Sequence, residues 1–210
     1  MSSDFINGLT ATAEPVARRH AGLELLAVLA VAAIELVGFT YFFDSQILAA
    51  AYAADPVRMT AKFVIFGALA VAAITLAILS LNPAAKRIGE GTLAIILSVL
   101  AASILVFDFT WRGSFSASFV PSAGMHCAIS VASLALPVTL VLGMLMMQGA
   151  STQPGRSAFL AGLAGGAFGA FVFSLQCPMV SIWYLGLWYG AGIAVVSAAS
   201  YLLMPKFIRW

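Results

Sequence analysis

The sequence predicts an all-α fold: a polytopic membrane helical bundle of six transmembrane helices, with both termini on the cytoplasmic side. Three observations predict it. Of the 210 residues, 62% are hydrophobic and only 9% are charged, a composition suited to lipid rather than water as solvent. The apolar residues fall into six runs, each near the roughly 20 residues that a helix rising about 1.5 Å per residue needs to cross about 30 Å of hydrocarbon. The basic residues divide by side. Arg18, Arg19, Lys86, Arg87, Arg156, Lys206 and Arg209 fall at the ends and on the even-numbered connections, against Arg58, Lys62 and Arg112 on the other side. By the positive-inside rule the first group is cytoplasmic. The net charge of +2 therefore marks topology and membrane-edge anchoring to lipid, not direct contact with nucleic acid.

The spans read in order as Leu23 to Phe42, Phe63 to Leu81, Thr92 to Phe109, Ala123 to Met147, Ala158 to Leu175 and Trp183 to Leu203. None alternates apolar and polar residues as a barrel strand does, so helices are the reading. The first run follows Arg18 and Arg19 and precedes Ala51, Tyr52 and Ala53, which together imitate a cleaved leader. It is too long for a signal core of about 7 to 15 residues and is interrupted by Glu35, which favours a retained first helix. The second and third spans are joined by the turn-rich Asn82 to Arg87, and the fourth and fifth by Gln148 to Gly155, with Pro and Gly where a helix must stop. On the outer side stand two longer loops, about Phe43 to Lys62 and Thr110 to Ser122, and a short one from Gln176 to Ile182.

Two parts follow: a cytoplasmic N-terminal segment, residues 1–20, and the six-helix transmembrane domain, residues 21–210. In the first, Phe5, Ile6 and Leu9 stand at helical spacing, with Ser3 or Asp4 able to cap. Pro15 breaks that turn and opens the first membrane helix. The segment reads either as a tail resting on headgroups or as a partner-binding peptide, since an amphipathic helix laid in a groove is a common mode of recognition.

Chemistry within the spans is sparse. Glu24 lies at an inner edge, Glu35 within the first span, and Asp108 where the third leaves the membrane. Acids without basic partners at matching depth argue against a proton relay. There are no metal-protease, nucleotide-binding or nucleophile motifs, so neither an enzyme nor a cofactor is indicated. Gly162, Gly165, Gly166 and Gly169 give overlapping small-xxx-small spacings for close helix packing. Pro137 is placed to kink the fourth span. Trp183, Tyr184, Trp188 and Tyr189 read as interfacial anchors, with Trp210 and Arg209 at the inner edge.

Two cysteines remain. Cys127 opens the fourth span and Cys177 closes the fifth, so both fall at the outer membrane surface, where two thiols at one depth on consecutive helices can meet. They could be incidental buried residues, a structural disulfide, a reactive redox pair, or soft ligands for a thiophilic metal such as cadmium or mercury. His126 could add a ligand, although an adjacent helical residue points to another face. Four-ligand zinc coordination of the ordinary type has too few groups here.

Several stretches together resemble the NrsF-type proteobacterial membrane proteins. These are Arg156 to Ala170 with its four glycines, Leu175-Gln176-Cys177-Pro178, Leu187-Trp188-Tyr189-Gly190, and the ending Phe207-Ile208-Arg209-Trp210. The likeness is carried by about residues 123 to 210, and in the first half by topology. The short leader with Pro15, Val16, Arg18 and Arg19 fits less specifically. The resemblance implies a six-helix anti-sigma factor of the bacterial inner membrane. Such a protein holds an extracytoplasmic-function sigma factor until heavy-metal or oxidative stress is registered by Cys127 and Cys177, with a metal ion bound only transiently. It also implies that the N-terminal residues Phe5, Ile6, Leu9, Pro15, Val16, Arg18 and Arg19 belong to the sigma-binding face. Where the family pattern often carries a histidine before the second cysteine and an acid after the proline, this chain has Gln176 and Met179, which favours thiol chemistry over chelation. The rival reading, a small metal or neutral-solute permease or channel, requires a polar path, for which the spans offer Glu35, Asp108 and scattered Ser and Thr. A quinone-linked thiol oxidoreductase would want a CxxC pair, which is absent.

Overall fold

The computed structural model describes residues 20–42, 45–81, 121–148 and 153–207. These residues are helical with no strand among them, and six helices follow in order: α1 (Ala21–Phe42), α2 (Ser45–Ala54), α3 (Pro56–Ser80), α4 (Pro121–Met147), α5 (Pro154–Ser174) and α6 (Ile182–Phe207). Five of them, all but α2, are long and apolar enough to cross a membrane. The third expected span, Thr92 to Phe109, and the N-terminal residues Phe5, Ile6, Leu9, Pro15, Val16, Arg18 and Arg19 lie outside the described residues.

Helix starts follow local chemistry. Asp55 caps α3, its carboxylate accepting from Arg58 N at 3.0 Å and pairing with Arg58 Nε at 3.2 Å, while Pro56 occupies the first turn, where no backbone N–H is needed. Hydropathy alone starts this span at Phe63; the cap and proline carry the helix back to Pro56, and the segment expected as a loop also holds α2, tied to α3 by a 3.1 Å bond between the Tyr52 and Thr60 hydroxyls. Pro154 likewise occupies the first turn of α5, there without a side-chain cap. At Ala135, α4 changes from one helical segment to the next, two residues before Pro137. The proline ring and its missing N–H are the physical cause of the break.

The core is built around α5, most of whose residues are buried, while apolar residues such as Ile34, Val64, Val71, Ile129, Leu140 and Val195 on the other helices are exposed among the described residues. Helices α3, α4 and α6 pack against α5, and α1 lies mainly on the second half of α4. Two glycine stripes explain the closeness. A methyl group at Gly162 would stand 2.7 Å from the Ser197 Cα, and one at Gly166 3.0 Å from the Ile193 Cα, so this stripe faces α6. One at Gly165 would collide with Thr139 Oγ1 and stand 2.7 Å from the Ala135 carbonyl oxygen, and one at Gly169 2.6 Å from the Val131 carbonyl oxygen, so this stripe faces α4. Each glycine pair is four residues apart, which lets two neighbours approach the α5 backbone from different sides.

Candidate functional site

At the end of the bundle where α3, α4 and α6 begin and α5 ends, five buried groups gather. Cys127 lies in the second turn of α4. Cys177 follows α5, where the chain leaves the helix through a tightened turn, Gln176 N and Cys177 N both bonding to the Phe173 carbonyl at 3.1 and 3.2 Å. Pro178, with no N–H to donate, prevents the helix from continuing. The two cysteines are 7% and 6% exposed, are not joined in a disulfide, and their thiols come within reach of one another. Two cysteines fifty positions apart in sequence thus form one dithiol site.

Around the thiols stand three side chains. Tyr184 Oη lies 3.0 Å from Cys127 Sγ. Tyr189 Oη is buried, has no hydrogen-bond partner among the described residues, and lies beside Cys177. The Tyr189 ring packs between Phe66 of α3 and Phe173 of α5, at centroid distances of 5.1 and 5.8 Å. Lys62, 3% exposed, donates from Nζ to the Cys177 carbonyl oxygen at 2.6 Å and more weakly toward the Met179 carbonyl at 3.4 Å, with its ammonium 5.6 Å from the Phe63 ring centroid. Beside this cluster a cavity of about 200 Å³ opens between α3 and α6, lined by Lys62, Phe66, Leu69, Leu185, Gly186 and Ile193.

The chain beneath the two tyrosines departs from an α-helix. Residues Leu185–Tyr189 form a π turn inside α6, a wider coil that recurs at functional sites. Nothing in the residue pattern announces it, because one widened turn leaves the apolar pattern of the span unchanged. The sequence expectation that Tyr184 and Tyr189 are interfacial anchors is corrected: they are 2% and 0% exposed, whereas Trp183 remains exposed. Lys62, read from the sequence as an outer-side charge, is likewise buried. The nearest usable signal was its position in the second turn after the Asp55 cap of α3.

His126 is exposed, turned away from the buried Cys127, as neighbouring positions on a helix dictate. Among the described residues no group of three or more His, Cys, Asp or Glu side chains is arranged to hold a metal ion. Glu35, on α1, is not part of the cluster, and neither of its carboxylate oxygens has a hydrogen-bond partner among the described residues.

Comparison with known proteins bears on this arrangement. Residues 9–210 match the NrsF family, described as negative regulator of sigma F. Over 108 residues the chain is 34% identical to the probable anti-sigma-F factor NrsF of Azospira oryzae, covering 51% of this chain and 45% of that protein. Over 148 residues it is 30% identical to the anti-sigma-F factor NrsF of Caulobacter vibrioides, covering 70% of this chain and 55% of that one. The chain thus spans about half the length of these curated relatives. No solved structure matches.

Proposed function

Because the chain belongs to the NrsF family, negative regulators of sigma F, we propose that it is a membrane-bound anti-sigma factor whose partner is an extracytoplasmic-function sigma factor, sequestered at the bacterial inner membrane. The observation that carries this reading is the family match across residues 9–210, nearly the whole chain, together with five helices of membrane-spanning length. In the proposed topology both termini face the cytoplasm, and the segment with Phe5, Ile6, Leu9, Pro15, Val16, Arg18 and Arg19 contributes to the sigma-binding face. The dithiol site of Cys127 and Cys177 then faces outward, as the trigger for heavy-metal or oxidative stress.

Two chemistries suit the pair. A divalent soft metal binds both sulfurs and releases two protons; an external two-electron oxidant takes two electrons while the thiols lose two protons and join as a disulfide. Either one ties the start of α4 to the end of α5. The glycine contacts at Gly165 and Gly169 leave little slack between these helices, so the tie is relieved by rigid-body movement rather than local give. A hundredfold loss of sigma occupancy requires that the triggered state bind the partner about 2.7 kcal/mol more weakly, which two new bonds to sulfur can supply.

The test is transcription in cells carrying the intact protein, a deletion, or Cys127→Ser with Cys177→Ser, each with and without cadmium or dichromate. The expected result is that deletion switches on a small regulon, while the double serine variant keeps it off even under stress. Unchanged transcription on deletion would remove the anti-sigma reading. Normal induction of the double serine variant would remove the sensing role and leave the anti-sigma role intact.

A further inference from the structure

The π turn gives the two tyrosines a relation that an uninterrupted helix would deny them. In an α-helix of 3.6 residues per turn, positions five apart are rotated by about 140°, so Tyr184 and Tyr189 would face different neighbours. Widening the coil over Leu185–Tyr189, where the hydrogen bonds run from i to i+5, brings both onto the inner face of α6. There one hydroxyl meets Cys127 Sγ at 3.0 Å and the other is enclosed beside Cys177. Gly186 sits within the widened turn, exposed, and a methyl group there would meet nothing within 4 Å. Packing around Gly186 therefore does not impose the π turn; the buried partners of Tyr184, Leu185 and Tyr189 remain to do so.

We propose that Tyr184 is the positioning residue of the dithiol site. Its hydroxyl holds the Cys127 sulfur in the rotamer that faces Cys177, and the π turn of α6 is the device that keeps the hydroxyl in place. This rests on the reading of Cys127 and Cys177 as the reacting pair. It adds why two buried cysteines on different elements are set to be bridged. Reagents that need both sulfurs at once depend on the rotamer; reagents that need one sulfur do not. A side chain with three staggered positions that loses a hydrogen bond of ordinary net strength redistributes among them, and the facing population falls by about three- to tenfold.

The experiment uses the purified full-length protein in lipid nanodiscs and two probes. Phenylarsine oxide reacts with both thiols: two As–S bonds form, the As=O oxygen leaves as water with the two thiol protons, and no oxidant is required. N-ethylmaleimide adds one sulfur across its double bond and reports access to each thiol separately. For Tyr184→Phe, which keeps the ring and removes only the oxygen, bridging by phenylarsine oxide is expected to slow by about three- to tenfold with maleimide addition no slower than in the wild type. Equal bridging rates in wild type and Tyr184→Phe would overturn the proposal. So would a parallel slowing of both reagents, because that is lost access rather than lost facing. The readout is thiol chemistry in isolated protein, so it is decided independently of the transcription experiment that tests the sensing role.

Discussion

Lys62 Nζ donates a 2.6 Å hydrogen bond to the carbonyl oxygen of Cys177, joining the second turn of α3 to the chain segment that follows α5. That carbonyl belongs to a residue with no continuing helix beyond it, and a buried backbone oxygen left without a donor costs about 1–3 kcal/mol. The lysine satisfies it and stands at the base of the dithiol site. Lys62→Ala removes the donor and enlarges the cavity that Lys62 lines with Phe66, so a loss of about 2–4 kcal/mol is expected. Lys62→Met keeps the volume, removes a buried charge as well as the donor, and should fall well below that loss. Thermal unfolding in detergent separates them: a Met variant as unstable as the Ala variant would mean that the hydrogen bond, not the packing, dominates.

The glycines of α5 allow a sharper comparison. At Gly169 an added methyl meets backbone on two sides, the Val131 carbonyl oxygen at 2.6 Å and the Ala135 nitrogen at 2.7 Å, neither of which can swing aside. Gly169→Ala should destabilise by about 1–3 kcal/mol despite the gain in helix propensity. At Gly143 the methyl would meet only the flexible end of Met204, at 3.1 Å, so Gly143→Ala should be neutral or stabilising by up to about 1 kcal/mol. If the two variants melt alike, the close approach of α4 and α5 is not what the glycines supply.

Much of this was legible in the sequence, and the limits have physical causes. Apolar length placed α1, α4, α5 and α6 within a few residues of their observed ends, because the thickness of hydrocarbon sets the length of a span. It misplaced the start of α3, because Pro56, Arg58 and Lys62 lower the hydropathy of a turn that Asp55 nonetheless caps. The small-xxx-small spacing announced close packing, yet could not say that Gly162 and Gly166 face one neighbour while Gly165 and Gly169 face another. The meeting of Cys127 and Cys177 was readable as a shared depth. The tyrosines beside them were not, since a ring near the end of a span serves equally well as an anchor in lipid or a wall of a buried site.

The proposed trigger, made from a pair, predicts all-or-none behaviour in single variants. Cys127→Ser and Cys177→Ser remove different sulfurs, and either leaves one thiol that can neither close a disulfide within the site nor hold a metal from two sides. Each single variant should therefore be as unresponsive to cadmium as the double variant, with repression in unstressed cells unchanged. Reporter transcription across a cadmium titration checks this. A single variant with half the response would point to two independent thiols rather than one dithiol.

The N-terminal segment gives the last prediction, and it separates holding the partner from sensing the signal. Phe5, Ile6 and Leu9 repeat at helical spacing, and an apolar stripe of this kind contributes binding energy through a few buried anchors rather than evenly along its length. Replacing all three by alanine should weaken capture of the sigma factor by at least about tenfold, equivalent to about 1.4 kcal/mol. The dithiol site should still be bridged by phenylarsine oxide at the wild-type rate, because it lies among α3, α4, α5 and α6. Pulldown of the sigma factor by the nanodisc-embedded protein measures the first effect and mass spectrometry of the arsenic adduct the second. Unchanged capture would move the binding face to the cytoplasmic connections. Slowed bridging together with lost capture would mean that the substitutions had disturbed the bundle itself.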